Sequence, residues 1–248
     1  MIPFDDRGLL LGDGLFETVL ARSGELVALS SHLDRMAAGC AALGLPALDR
    51  AEAEALMRRA LVELDAERAA VRLTCTAGSG GRGLDRPSAP RPRLFATAAP
   101  ATLSSAPARV IISAVRRNEG SPASRLKTLS YLDTVLARRE AIAAGADEAV
   151  MLNGQGHLAC AAAANLFWIA GTQVFTPALA CGALAGIVRA QVMSAVTVSE
   201  VAVGVGSLAD ADAAFLTNSL MGVRPVASLD GRLFPGSPVV AEIASLLP

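Results

Sequence analysis

Hydrophobic and polar residues in the first hundred positions follow first a strand pattern and then a helix pattern. The segments LFETVLAR and VALS carry apolar and β-branched residues on both sides of Ser23-Gly24, which predicts a hairpin. Next, SSHLDRMAAGCAALGLP begins with serine, ends near Gly44 and Pro46, and predicts an amphipathic helix. Its apolar residues at helical spacing are Leu33, Met36, Ala37, Cys40 and Leu43. A second helix in AEAEALMRRALVELDA and strands in AAVRLTCT and PRLFATA are predicted to follow.

The second half of the chain mixes predicted strands and helices in no regular order. Its predicted helices are LDTVLARREAIAAGA, IVRAQVM and a closing helix, and its predicted strands are RVIISAV, ANLFWIA, SEVAVG and AAFLTNS, with a hairpin-like DEAVMLNGQGHLAC. Because neither a repeated strand-helix-strand unit nor an internal repeat is present, the pattern favours an α+β fold over a doubly wound sheet. The small, proline-bearing segment 99–107 is typical of a linker, so the predicted domains are 1–103 and 108–248.

Composition and charge narrow the classes of function. Hydrophobic residues make up 52% of the 248 residues, but no apolar run approaches the roughly 20 residues that span a membrane, so a soluble protein is expected. The start MIPFDDRGLL lacks the basic and apolar segments of a secretory signal, which predicts a cytoplasmic location. A net charge of −1 and 4% aromatic residues argue against nucleic-acid binding and favour a small-molecule site.

The cysteines give no sign of a metal or disulfide framework. Cys40, Cys75, Cys160 and Cys181 are widely separated, and they form no CxxC pair and have no neighbouring histidine cluster. This spacing argues against a zinc site and against structural disulfides. Reduced, mostly buried thiols are expected, and no metal is predicted.

Lys127 lies between Leu126 and Leu129, just before a strong predicted helix. One interpretation is a surface lysine near a helix start. The other is a lysine held in an apolar setting, where a neutral amine is available for Schiff-base chemistry. The local residues do not decide between these interpretations.

Three other features suit a bound phosphate. Gly186 precedes IVRAQVM, so the backbone N–H groups of Ile187 and Val188 open a helix, which is a favourable place for an anion. Arg35 lies off the apolar stripe of its helix and could clamp a phosphate, and Ser219, at the end of a predicted strand, could donate its hydroxyl. Each also has a plain structural interpretation, as a glycine turn, a solvated arginine and the end of a strand.

Two catalytic motifs are excluded. The glycine-rich AGSGGRG at 77–83 lacks the lysine and hydroxyl residue of a phosphate-binding P-loop and is not followed by a predicted helix. The chain has no GxSxG segment, and His32 and His157 have no evident nucleophile partner, so a serine hydrolase is not indicated.

Taken in order, eight segments of the chain resemble the class IV aminotransferase family, the pyridoxal-phosphate enzymes of fold type IV. They are DRGLLLGDGLFET, SHLDRM, GSGGRG, LKTLSYLDTVLARREA, GADEAVMLN, ANLFW, TPALACGALAGIVR and FLTNSLMGVRPV. The resemblance implies a two-domain α+β fold like that of D-amino-acid aminotransferase, with a small α/β N-terminal domain and a larger, barrel-like C-terminal domain that binds the cofactor. It also implies a homodimer that acts on a small-molecule amine.

The resemblance assigns roles to individual positions. Lys127 matches the lysine that forms the Schiff base with pyridoxal 5'-phosphate and then moves the proton. Tyr131 matches a position beside the cofactor. The positions that bind the cofactor phosphate are matched by Arg35, Ile187, Val188 and Ser219.

Cys160 is the main departure from the family pattern. The family has a glutamate there, five residues before Asn165, whose carboxylate pairs with the ring nitrogen of the cofactor and keeps it protonated. A neutral thiol is a poor substitute, because it is only a weak donor. A weaker electron sink harms transamination more than β-elimination, in which the leaving group carries the electrons away. Two milder departures are Ser130 for asparagine and Val188 for threonine.

Three functions remain open at this point. The segments GSGGRG, AANLFW and TNSLMGVRPV look most like those of the aminodeoxychorismate lyases, so the expected reaction converts 4-amino-4-deoxychorismate to p-aminobenzoate and pyruvate. The first alternative is an aminotransferase of the same family that acts on branched-chain or D-amino acids. The second is a homologue that binds a phosphate ligand or a partner without catalysis, and Cys160 is the observation in its favour.

Overall fold

The computed structural model describes residues 2–64, 66–102 and 106–247 of the chain. Its contacts divide it into two compact units, Met1–Thr102 with Leu126–Ser130, and Leu103–Arg125 with Tyr131–Pro248. The predicted domains placed the segment around Lys127 in the C-terminal domain, whereas the structure groups it with the first unit, because its backbone pairs with that unit's sheet. Residues 103–105 of the predicted linker lie outside the described residues.

The first unit is built on an antiparallel sheet. Its helices are α1 (Arg7–Leu11), α2 (Leu29–Ala42) and α3 (Arg50–Leu64), and its strands are β1 (Gly14–Arg22), β2 (Glu25–Leu26), β3 (Arg68–Thr76) and β4 (Arg93–Pro100). The strand order is β2-β1-β3-β4. Helix α2 packs on β1, and α3 packs on β3 and β4. Apolar side chains between these helices and the sheet form one core.

The predicted turn at Ser23-Gly24 and both predicted helices of this unit are confirmed. The second strand of the hairpin was wrongly placed: β2 is Glu25–Leu26, whereas VALS forms a turn and the start of α2. Ser23 and Gly24 form the turn between β1 and β2 and adopt positive φ angles of 49° and 84°. Leu33, Met36 and Cys40 of α2 are buried, as their helical spacing predicts. The short helix α1 was not predicted, because its single turn is too short to show a helical period.

The second unit contains a mixed sheet of nine strands. The strands are β5 (Ala108–Ile112), β6 (Glu148–Leu152), β7 (Leu158–Ala161), β8 (Asn165–Ala170), β9 (Gln173–Pro177), β10 (Val198–Val201), β11 (Ala213–Asn218), β12 (Gly222–Leu229) and β13 (Arg232–Leu233). The α-helices are α4 (Leu132–Ala143), α5 (Ile187–Ala195) and α6 (Pro238–Ser245), and short 3₁₀ turns lie at Pro122–Arg125, Leu179–Cys181 and Val205–Leu208. The strand order is β10-β9-β8-β11-β12-β5-β6-β7, with β13 paired to β12.

The two ends of this sheet approach each other. The Leu158 N–H on β7 donates to the Val203 carbonyl at 2.8 Å, and His157 forms a bridge with Gly204, just beyond β10. Apolar side chains such as Trp168 fill the inside of the curl. The prediction of a barrel-like C-terminal domain in an α+β fold is therefore confirmed. In the part of the chain that the structure describes, no helix has the length and hydropathy needed to cross a membrane.

Candidate active site

Lys127 lies in the first unit, where a short extended segment pairs with the start of β1. The Phe16 N–H donates to the Lys127 carbonyl at 2.9 Å, and the Leu129 N–H donates to the Gly14 carbonyl at 3.0 Å. The half-buried lysine side chain places Nζ 4.3 Å from the centre of the Phe16 ring. An ammonium group is attracted to the negative face of an aromatic ring. The backbone pairing and the ring contact together hold the amine in a defined place.

Lys127 is also the only lysine in the chain, since 21 of the 22 lysine and arginine residues are arginines. A guanidinium group stays protonated in proteins and does not replace a primary amine as a nucleophile. Any chemistry that needs a side-chain amine therefore has one candidate here. This simple count is a sequence signal that the motifs alone do not contain.

Arg35 is bound by an acidic residue that the motifs did not reveal. Its Nε and Nη2 atoms donate to the two oxygens of Glu17 at 2.7 and 2.6 Å, and His32 Nδ1 lies 2.7 Å from the same carboxylate. The side chain of Glu17 is only 1% exposed. Burial raises the pKa of Glu17, but hydrogen bonds from Arg35 and His32 outweigh it, so the pKa lies below its usual value. Arg35 is thus an oriented cation and not a solvated side chain, while its role in phosphate binding stays a prediction.

The glycine-rich loop that was excluded as a nucleotide site has a structural anchor. The buried Arg7 guanidinium donates to the carbonyls of Leu84 and Asp85 at 2.8 and 2.9 Å and to the carboxylate of Asp13 at 2.9 Å. A hydrogen bond from Arg86 lowers the pKa of Asp13. These hydrogen bonds fix the chain where it leaves the loop, at Leu84 and Asp85.

In the second unit, Ser219 and the start of helix α5 are tied to the same end of the sheet. Asn165 begins β8 and pairs with Thr217 near the end of β11, and Ser219 lies in the turn that follows β11. The Asn165 side chain donates from Nδ2 to the Leu184 carbonyl at 2.8 Å, in the loop that leads to α5. The predicted phosphate residues at this end are Ile187, Val188 and Ser219.

This end of the sheet has the features of an anion site. No side chain caps helix α5 at Gly186, so the first N–H groups of the helix have no intrahelical acceptor. The Thr217 hydroxyl is buried and has no hydrogen-bond partner among the described residues. A Cβ atom on Gly186 would fall 2.0 Å from Asn165 Oδ1, so a glycine is required there. A phosphate would accept from the free N–H groups and the hydroxyl, and these residues therefore fit the phosphate of pyridoxal 5'-phosphate.

Cys160 does not fit the role of the family glutamate. It lies on β7 opposite Met151 of β6, packs against Cys181, and is a free thiol with 6% exposure. Burial raises the pKa of the Cys160 thiol above its usual value. The group is therefore neutral at neutral pH, and it cannot supply the negative charge that a carboxylate would place beside a ring nitrogen.

Tyr131 lies at the start of helix α4 and is half-buried. Its carbonyl accepts hydrogen bonds from Thr134 Oγ1 at 2.7 Å and from the Val135 N–H at 3.0 Å.

The predicted site residues are divided between the two units. Lys127 and Arg35 belong to the first unit, and the second unit contains Tyr131, Cys160, Ile187, Val188 and Ser219. Over residues 2–64, 66–102 and 106–247, no group of three or more histidine, cysteine or acidic side chains could hold a metal ion.

Similarity to known proteins extends over nearly the whole chain. The family model described as amino-transferase class IV matches residues 14–229. The aminodeoxychorismate lyase of Vibrio harveyi is 30% identical over 246 residues, which cover 92% of this chain and 87% of that protein. A protein of Methanocaldococcus jannaschii, provisionally named a branched-chain-amino-acid aminotransferase, is 32% identical over 254 residues, with 98% and 87% covered.

A solved structure has the same fold. The crystal structure of 4-amino-4-deoxychorismate lyase from Pseudomonas aeruginosa aligns with a TM-score of 0.90 at 30% identity, and the alignment covers 99% of this chain and 93% of that chain. The family match and the names of the relatives indicate a pyridoxal-phosphate-dependent enzyme, either a lyase or an aminotransferase. The chain belongs to the class IV aminotransferase family of pyridoxal-phosphate-dependent enzymes.

Proposed function

We propose that the protein is an aminodeoxychorismate lyase, which converts 4-amino-4-deoxychorismate to p-aminobenzoate and pyruvate. The observation that carries this proposal is the buried, neutral thiol of Cys160 at the position of the family glutamate. Without a carboxylate to keep the ring nitrogen protonated, the cofactor is a weaker electron sink. Transamination depends on that sink to hold electrons, whereas in the lyase reaction the leaving group carries them away.

Lys127 is the proposed catalytic residue. Bound pyridoxal phosphate supplies a conjugated ring that withdraws electrons from the carbon bearing the substrate amine. Lys127 would hold the cofactor through its aldehyde, and its amine, when free, would take the proton from that carbon. The electron pair of the broken C–H bond forms the last double bond of the aromatic ring as the C–O bond to the leaving group breaks. The one side-chain amine of the chain would hold the released proton and then pass it to the enolate leaving group, which becomes pyruvate.

We place the cofactor phosphate at the start of helix α5, where Gly186 makes room for the backbone. Gly186→Ala is expected to weaken cofactor binding, because the new Cβ would clash with Asn165 Oδ1 and Asn165 is held by its bond to Leu184. Forcing an extra methyl group into a packed site costs roughly 1–3 kcal/mol. The dissociation constant of the cofactor should therefore rise about 5- to 150-fold, as measured by titration of the apo protein followed by absorbance.

Gly206→Ala is the matched control for this prediction. Gly206 lies in the same unit, and a Cβ there would meet no atom within 4 Å. The control variant should bind the cofactor as the wild type does, and thermal unfolding of both apo variants separates a local clash from a general loss of stability. Equal affinities in the two variants would contradict the placement of the phosphate at α5.

The test of the proposed function combines cofactor and reaction. Purified protein is incubated with pyridoxal phosphate, its visible spectrum is recorded, and pyruvate is assayed after addition of aminodeoxychorismate. We expect a visible absorbance that borohydride removes, together with pyruvate release. Cofactor binding without pyruvate release would contradict the lyase assignment and leave the family assignment intact.

The variant Cys160→Glu is expected to raise transaminase turnover relative to lyase turnover. An unchanged ratio of the two turnover rates would show that the Cys160 thiol does not favour the lyase reaction.

An aminotransferase is the second candidate function, and the similarity to the Methanocaldococcus jannaschii protein favours it. Branched-chain and D-amino acids, each mixed with a 2-oxo acid, are the substrates that distinguish the two functions. Formation of the exchanged amino acid with no pyruvate from aminodeoxychorismate would select the aminotransferase.

The proposal includes a cytoplasmic homodimer, as the resemblance implies. Support for a second copy comes from helix α4, which exposes apolar side chains at helical spacing, namely Leu132, Val135, Leu136 and Ile142. A contiguous exposed apolar face is typical of a surface that another protein covers. The site residues given above do not depend on this part of the proposal.

A further inference from the structure

Arg117 is a buried cation in the second unit that no motif singled out. It is 8% exposed, and its guanidinium donates from Nε to the Gly182 carbonyl at 3.1 Å and from Nη2 to the Ser124 carbonyl at 2.6 Å. Both contacts are to neutral backbone groups, and no ion pair between Arg117 and a carboxylate is present among the described residues. A buried charge is usually paired, so this positive charge is left without its usual compensation.

One backbone hydrogen bond and one side-chain contact link Arg117 to the surroundings of Cys160. The Arg117 N–H donates to the Leu152 carbonyl at 2.8 Å, and the preceding residue, Met151, pairs with Cys160. On the other side, Arg117 Cγ lies 3.0 Å from where a Cβ of Gly182 would be, and the neighbouring Cys181 packs against Cys160. The guanidinium acts on the thiol electrostatically, since burial raises the pKa of Cys160 and Arg117 opposes that rise.

Glu148 is the acidic group that also acts on Cys160. It is buried on β6, and its carboxylate accepts a hydrogen bond from the Ala149 N–H at 3.0 Å. Burial raises the pKa of Glu148 despite backbone hydrogen bonds. One of its oxygens is thus engaged by the backbone of its own strand. Glu119, which acts on Cys181, is half-buried and accepts a hydrogen bond from the Gly154 N–H.

We propose that Arg117 and Cys160 together keep the ring nitrogen of the bound cofactor unprotonated. The inference rests on the proposed cofactor site, in which Cys160 meets that nitrogen. A neutral thiol can donate a hydrogen bond to an unprotonated nitrogen but does not stabilise a pyridinium cation. The positive charge of Arg117, which acts on this thiol, disfavours protonation of a ring nitrogen held beside the thiol, as like charges do. Arg117 thus carries a charge of the opposite sign to the one that the family glutamate supplies.

The test is a ¹⁵N NMR measurement on the holoenzyme prepared with ¹⁵N-labelled pyridoxal phosphate. We expect the wild type to show the nitrogen shift of an unprotonated pyridine across the pH range in which the fold persists. Cys160→Glu should move the signal to the protonated position. Arg117→Met should let the nitrogen titrate within that range, whereas Arg117→Lys, which keeps the charge, should behave as the wild type.

Other outcomes separate this inference from the proposed function. Bound label with a protonated nitrogen in the wild type would overturn the inference and leave the cofactor site standing. If the wild type shows the protonated signal and Glu148→Gln does not, Glu148 would be the group that keeps the ring nitrogen protonated. Failure of the wild type to retain the label would overturn both the cofactor site and the inference. If Arg117→Met does not fold, the wild-type and Cys160→Glu signals still decide the question.

Discussion

Replacing Lys127 with alanine is expected to lower the rate of pyruvate release by about 10⁴-fold, the upper end of the range for a positioned acid–base group. The variant loses the one side-chain amine that can hold the cofactor and take the proton. Removing the ammonium from above the Phe16 ring affects a half-buried contact, so the fold should persist. A steady-state pyruvate assay measures the rate, and far-UV circular dichroism checks the fold.

The same variant gives a readout that is independent of turnover. Because the chain has no other lysine, borohydride reduction of the wild-type holoenzyme should add one cofactor mass to the intact protein, and reduction of Lys127→Ala should add none. Arg125→Ala, at an exposed position close by, is the matched control and should be labelled as the wild type is. A cofactor mass retained by Lys127→Ala would show that another amine, such as the N-terminus, is the point of attachment.

Replacing Glu17 with glutamine is expected to lower the free energy of unfolding of the first unit by about 3–5 kcal/mol, as when one partner is removed from a buried ion pair. The amide keeps the shape of the side chain but removes the charge that Arg35 and His32 share. Denaturant unfolding followed by circular dichroism measures the loss. Trp168, the single tryptophan, lies in the second unit, so its fluorescence reports that unit separately.

The control for Glu17 is Glu54, which pairs with Arg58 on the surface of helix α3 at 2.8 Å. Exposed pairs of this kind contribute about 0.2–0.5 kcal/mol, so Glu54→Gln should leave the unfolding curve almost unchanged. If the two substitutions lowered the free energy of unfolding equally, the buried Glu17 pair would stabilise the protein no more than an exposed pair does.

Acid should reproduce part of the Glu17 effect in the wild type. The folded-state pKa of Glu17 is below its value of 4.5 in an unfolded chain, so the contribution of this carboxylate to stability is complete above that value. It is lost as the pH falls below 4.5 and through the lower folded-state pKa. In Glu17→Gln this part of the pH dependence should disappear.

The sequence predicted elements better than it predicted partners. The helical spacing of α2 and the apolar and β-branched residues of β1 are local features, which a single sequence contains. The pairing of Arg35 with Glu17 depends on how two elements pack. The sequence did contain a signal for this pair. Leu15, Glu17 and Val19 lie on the same buried face of β1, and a charged side chain on such a face needs a buried partner.

The phosphate end of the candidate site shows the same limit. The register of Asn165 was clear from its neighbours, but its contact with the loop before Gly186 joins positions that are distant along the chain. The sequence offers Thr217, with Asn218 and Ser219, as a donor to a phosphate oxygen, but hydroxyl groups that merely finish strands are common. Its unsatisfied hydroxyl became evident once its burial was known.

The pairing of residues 127–129 with the start of β1 determines how the chain can be divided. A fragment that ends at Thr102 would contain the sheet of the first unit but would lack the strand segment bonded to Gly14 and Phe16. The backbone groups of β1 at that edge would be free to pair with other molecules, which is a common origin of aggregation. The first unit therefore cannot be cut out as one continuous segment. Residues 127–129, which complete its sheet and include its lysine, are synthesised after the second unit has begun.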